Sequence, residues 1–169
     1  MMWHMTDTPP ALSETQLEAY FAFTEVSSLL RHAVEKQLRD AGDLSYVQFQ
    51  LLARLGDAPD GRQSMTDLAD GVVYSRSGLT YQAQQLEQRG LVTRTPSPED
   101  ERSINVAITN AGRAVLTTVF PGHIEALHRL LFSALSNQDV DELARILGRA
   151  ADHLRANPPR SANPRRRKP

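Results

Sequence analysis

The sequence predicts a mainly α fold with one small β-hairpin, and three observations lead there. Two short amphipathic helical patterns, through Met65, Leu68, Ala69 and Val72 and then Leu79, Ala83 and Leu86, stand only a tight turn apart. Two strand patterns follow, Leu91 to Thr95 and the alternating Ile104, Val106 and Ile108, joined by a polar loop. Helical patterns flank this unit on both sides and carry more apolar positions than one surface can bury.

In chain order, residues 1–11 show no periodic pattern and read as a disordered tail in which Trp3 and His4 are isolated. Ser13 with Gln16 is a capping signal, and a helix is expected from Glu14 to about Asp40. Its apolar residues, from Leu17, Tyr20, Phe21 and Phe23 to Val34 and Leu38, cover more than one stripe. Such a helix is expected to pack on its own domain and on a partner subunit. Gly42 and Asp43 end it, and Ser45 with Gln48 starts a second helix with Val47, Leu51, Leu52 and Leu55 inside.

The central unit runs from Ser64 to Thr109. Ser64 and Asp67 give a further start signal, and Gly71 sits where a residue without Cβ relaxes the chain into a turn. Ser75 is placed to cap the second short helix, and Gly90 ends it. The loop from Pro96 to Arg102 is too long for a minimal hairpin turn. Two short helices and a hairpin with a long charged tip make a winged helix-turn-helix, whose second helix suits a DNA major groove. Thr109 then caps a helix reaching Phe120, which Pro121 and Gly122 are expected to kink or break. The helical pattern resumes through Ile124, Leu127 and Leu131. Ser136 with Asp139 starts a last helix lined by Val140, Leu143, Ile146, Leu147 and Leu154.

The run LADGVVYSRSGLTYQAQQLEQRGLV, then PEDER, then AITNAGR, resembles the MarR family of bacterial regulators. The likeness extends over about residues 13–155. The wing with its Asp-x-Arg tip, taken with the following Thr-x-x-Gly, is more specific than a helix-turn-helix pattern alone. The domain reading is a tail over 1–11, one MarR-like domain over 12–155, and a disordered basic tail over 156–169. Within the domain, 12–40 and 110–155 are read as dimerisation helices and 45–109 as the winged helix-turn-helix. The resemblance implies a homodimer and a DNA-binding regulator without a cofactor.

Composition permits this reading and narrows the alternatives. The chain has 169 residues, no cysteine and no apolar run long enough to span a bilayer, so a cytoplasmic protein with no membrane partner is expected. Its net charge is −1. Five of the 19 basic residues lie in the tail from Ala156, leaving 14 against 20 acidic ones in the body, a net of −6. DNA binding must then come from a local face. From Tyr74 to Thr95 the charges are Arg76, Arg89 and Arg94 against Glu87 alone.

A two-fold dimer would set two reading helices about one DNA turn apart, roughly 34 Å, and so predicts a palindromic double-stranded operator. The candidate DNA contacts are Ser75, Arg76, Ser77, Thr80, Tyr81 and Gln84 on the reading helix, with Arg94, Asp100 and Arg102 on the wing. Arg76 suits a guanine or a phosphate. Tyr81 suits a thymine methyl or a phosphate, with core packing as the alternative. Arg102 suits a narrow minor groove, which the family's wing motif also implies, and Asp100 is placed to orient it or Arg94. Glu101 departs from the basic residue often found there in the family.

The family also implies a small phenolic or aromatic acid as effector. Tyr20, Phe23, Arg31, Tyr46 and Phe49 are candidate pocket residues, with Arg31 pairing a carboxylate, although each aromatic fits an ordinary core as well. The overall expectation is a repressor released by such a ligand. His123, Glu125 and His128 offer an alternative, metal-responsive reading, but the two histidines are five apart, not the four that set two ligands on one helical face, and no metal is expected. A winged helix that docks another protein is a separate alternative. No phosphate-binding glycine loop, nucleophile elbow or paired carboxylates on a recognisable scaffold suggest an enzyme.

Overall fold

The computed structural model describes residues 11–71, 76–97 and 103–156. Six helices and three strands follow in the order α1 (Glu14–Gly42), α2 (Tyr46–Asp57), β1 (Arg62–Ser64), α3 (Met65–Gly71), α4 (Arg76–Gln88), β2 (Val92–Pro96), β3 (Ile104–Ile108), α5 (Asn110–Leu130) and α6 (Asn137–Ala156). A short 3₁₀ turn, Phe132–Ala134, joins the last two helices.

Local capping fixes most helix starts. Ser13 and Gln16 form a reciprocal box at α1, with bonds of 2.8 and 3.2 Å, and Ser45 and Gln48 repeat it at α2. Ser64 Oγ accepts from the Asp67 backbone N–H at 3.0 Å and donates to the Asp67 carboxylate at 2.7 Å. Ser136 and Asp139 make the equivalent start at α6. At the end of α1 the left-handed residue is Asp43, with φ of 50°, while Gly42 lies within the helix. The glycine serves close packing there: a Cβ on Gly42 would fall 2.4 Å from Val119 Cγ2 on α5.

The core is gathered around Leu38, Leu44, Leu51, Leu52, Leu55, Leu68, Leu79, Leu86, Val92, Val106 and Val119, all almost fully buried. These residues come from the end of α1, the loop after it, and α2, α3, α4, β2, β3 and α5; β1, the 3₁₀ turn and α6 supply none. In the first half of α1, Tyr20, Phe21, Phe23, Val26 and Leu29 stay exposed, and α6 contributes no buried side chain. Two long helices therefore present apolar stripes that a single chain leaves uncovered.

The sheet has three strands, not the two of a simple hairpin. Its order is β1-β3-β2, antiparallel throughout, with Gln63 opposite Val106 and Arg94 opposite Val106 from the other side. β1 is short and polar, so nothing in its own sequence marks it; its pairing with β3 makes it a strand. The break expected at Pro121 is absent, and α5 runs unbroken from Asn110 to Leu130. Pro121 lies on the exposed side of the helix. On the inner side Gln37 Nε2 donates to Val119 O at 3.2 Å, and Gly122 leaves room for that amide. The α1 seam thus holds both halves of α5 in line.

The Thr-x-x-Gly motif becomes a junction. Thr109 Oγ1 donates to Gly90 O at 2.7 Å and accepts from the Gly112 N–H at 3.1 Å, while the Thr109 N–H donates to Leu91 O at 3.1 Å. A Cβ on Gly112 would meet Leu91 O at 2.2 Å. Because that neighbour is backbone, Gly112→Ala is expected to lower unfolding free energy by about 1–3 kcal/mol. Gly148→Ala in α6, where nothing lies within 4 Å of an added Cβ, should instead be neutral or stabilising by up to about 1 kcal/mol. Urea denaturation of the two variants reads both signs.

Candidate nucleic-acid interface and adjoining cleft

The reading helix divides cleanly into two faces. Leu79, Ala83 and Leu86 point into the core, while Ser77, Thr80, Tyr81 and Gln84 lie exposed along the opposite side, with Gln88 continuing the row. Tyr81 is 57% exposed, so the core alternative for this ring is not what the fold adopts. Arg76 opens α4, although its side chain is not among those described. Ser75, Asp100 and Arg102 lie outside the described residues. The hairpin arms can be followed to Ser97 and Ser103, whose backbone bond of 2.8 Å closes the base of the wing tip.

Two of the three arginines counted between Tyr74 and Thr95 hold the scaffold together. Arg94 Nε donates to Glu87 Oε2 at 2.8 Å, and the Arg94 backbone N–H donates to Glu87 Oε1 at 3.1 Å. One carboxylate at the end of α4 thereby fixes the angle of the wing strand β2. Arg89 Nη1 donates to Asp43 O at 2.6 Å and its Nη2 to Gly42 O at 3.1 Å. That guanidinium satisfies carbonyls at the C-terminus of α1, where the helix dipole favours a cation. Sequence reasoning placed Arg94 at the DNA and did not assign Arg89 a role; their partners are distant in sequence or face, and no local pattern announces them. Glu87→Gln should cost about 1 kcal/mol of stability, because it weakens a charge-assisted pair that is only partly solvated. Comparing the urea midpoints of variant and wild type measures this.

Between α1, α2 and α5 lies a cleft of about 450 Å³ lined by Ser27, Ser28, Leu30, Arg31, Val34, Tyr46, His123 and Leu127. Of the five predicted pocket residues, Arg31 and Tyr46 line it. The Arg31 guanidinium carbon sits 5.0 Å over the Tyr46 ring, and its Nε donates to Glu35 at 3.3 Å. Phe49 is buried behind the wall, its ring centroid 4.6 Å from that of His123. Tyr20 and Phe23 are exposed farther along α1 and do not line the cleft. Ser27, Ser28 and His123 were missed as lining residues. A histidine spacing tested only against metal geometry could not reveal that His123 would rest on an aromatic ring from α2.

His123 Nδ1 is buried without a hydrogen-bond partner, and burial pushes the imidazole below its ordinary value of 6.5. Among the described residues, no group of three or more His, Asp or Glu side chains is placed to hold a metal ion. The unfolded chain takes up the His123 proton near 6.5, whereas the folded chain resists it until lower pH. Stability from the neutral ring is thus present above the unfolded value and is lost as pH falls below it. His123→Phe should flatten the decline in unfolding free energy below about pH 6.5. Denaturant titrations of both proteins at stepped pH would show it.

Fold and exposed helix face together define a winged helix-turn-helix protein of the DNA-binding class. Comparison with known proteins narrows this: a model of the MarR family matches residues 42–103. The regulator PecS of Dickeya dadantii is 32% identical over 133 residues, covering 78% of each chain. The transcriptional repressor YetL of Bacillus subtilis is 29% identical over 138 residues, covering 82% of this chain and 81% of its own. Among solved structures, AbsC of Streptomyces coelicolor, a MarR family regulator, is 30% identical with a TM-score of 0.81, covering 88% of this chain and 99% of its own. Sco3205 from the same organism, a MarR family regulator solved in complex with DNA, is 29% identical with a TM-score of 0.84, covering 93% and 96%. The chain belongs to the MarR family of DNA-binding transcriptional regulators, which are not enzymes. No helix among the described residues is long and apolar enough to cross a membrane.

Proposed function

We propose that this chain is a homodimeric repressor of a palindromic operator, released by a small aromatic acid. The observation that carries the reading is the outward polar row of α4 beside a hairpin wing whose angle is fixed by Glu87 and Arg94. In this reading Ser75, Arg76, Ser77, Thr80, Tyr81 and Gln84 meet the major groove. Arg102 enters the minor groove, with Asp100 orienting it. Arg94 acts through the wing angle more than by direct contact. The exposed stripes of α1 and α6 supply the dimer face, since a second copy would bury Tyr20, Phe23, Ile146 and Leu154. Repression as the sign of regulation is supported by YetL, which is named a repressor. Ligand release is supported by the cleft, where Arg31 offers a cation beside an aromatic wall.

The test is a titration of purified protein against DNA flanking its own gene, across a salt series, with scrambled DNA as control. Affinity should fall steeply with salt and favour the native sequence. Gln84→Ala should cost about 1–3 kcal/mol and relax sequence preference, while Arg102→Ala should weaken binding with a shallower salt slope. Binding indifferent to sequence and to both substitutions would overturn the operator reading. Transcription that continues from an occupied operator would overturn repression.

A further inference from the structure

Resting on the dimer and operator reading above, we infer that Arg89 sets the spacing of the two reading helices, as a positioning residue whose guanidinium forks onto the end of α1. Two observations meet at this side chain. The first is what it holds. Its Nη1 donates to Asp43 O at 2.6 Å and its Nη2 to Gly42 O at 3.1 Å. These are consecutive carbonyls at the C-terminus of α1, where a helix leaves its last acceptors without donors. The Asp43 carboxylate, 3.8 Å from Nη2, adds a loose ion pair. Two-thirds of the Arg89 side chain is covered, so water competes for the fork less than it would on an open surface.

The second observation is where it holds. Gly42 is the point at which α1 lies tight against α5, with no room for a Cβ beside Val119 Cγ2. Arg89 thus anchors the end of α4 on the seam between the two long helices. The next residue is anchored as well, because Gly90 O accepts from Thr109 Oγ1 at the start of α5. The body of α4 packs on α2, α3 and β2 and makes little contact with α1. A single tie would leave the reading helix free to pivot about it. Two ties on adjacent residues, one to α1 and one to α5, fix its direction against the helices that carry the dimer face. In a two-fold dimer that direction is also the spacing of the two copies of α4, which half-sites one turn apart require. Arginine suits the task because its planar fork reaches two carbonyls at once, whereas lysine is a point donor.

The chain has no cysteine, so Gln84→Cys on the exposed row of α4 gives one spin-label site per copy. Dipolar spectroscopy on the full-length protein without DNA then reads the distance between the two reading helices. The otherwise wild-type chain should give one narrow distribution. Arg89→Ala should broaden or shift it by at least about 3.4 Å, one base-pair step along a duplex. Arg89→Lys, which keeps the charge and holds one carbonyl at a time, should fall between the two. Glu87→Gln loosens the wing without touching this tie and should leave the distribution as it is, which separates lost positioning from lost stability. A thermal melt checks that each variant folds, and the lysine variant carries the test if the alanine one does not. On the duplex footprinted beside its own gene, one base pair inserted between the half-sites should cost unlabelled wild type about tenfold in affinity and Arg89→Ala about threefold or less. A distribution, or a spacing penalty, that Arg89→Ala leaves unchanged would overturn the assignment to Arg89 and leave the dimer reading intact. Absence of dipolar coupling between labels in the otherwise wild-type chain would remove the dimer reading and this inference together.

Discussion

The structure depends on one close backbone approach, that of Gly112 to the carbonyl of Leu91. Around it, Thr109 bonds to Gly90, Leu91 and Gly112, so the end of the reading helix, both ends of the hairpin and the start of α5 meet at one point. The wing cannot tilt without pulling on α5, and α5 cannot roll without moving the wing. Because the contact is made by backbone atoms, its geometry leaves no side chain that could yield. The sequence there is legible as a motif only because the physics allows so few residue types: a hydroxyl that can both donate and accept, and a residue with no Cβ three positions later.

Features set by neighbours in sequence were readable in advance. The serine caps of α1, α2, α3 and α6 involve residues three apart, and each forms with the partner its spacing implies. The apolar stripes of α2 and α4 likewise reach the core they predict. Features set by distant partners were not readable. β1 is a strand through the hydrogen bonds that β3 offers it, and the helix that runs on through Pro121 takes a bond from Gln37 of α1 on its inner side. At the site, the exposed row of α4 was legible from its period. The duties of Arg89 and the place of His123 were not, since each is defined by a residue on another element.

Electrostatically, the described part of the reading unit is less positive toward solvent than its composition suggests. Glu87 holds Arg94, and the end of α1 holds Arg89. Outside the basic tail the chain carries net negative charge, so DNA binding has to come from a local face and not from bulk attraction.

The bare stripe of α6 has a thermodynamic consequence. Helices in proteins draw most of their stability from packing, and α6, 20 residues long, has no fully buried side chain to steady it. Its apolar residues, Ile146, Leu147 and Leu154 among them, gain their free energy only when something covers them. In the proposed dimer, helix formation in this segment and association would be one linked equilibrium, in which coverage steadies the helix. The helical content of the C-terminal region would then depend on protein concentration, whereas the winged unit buries its apolar side chains in its own core.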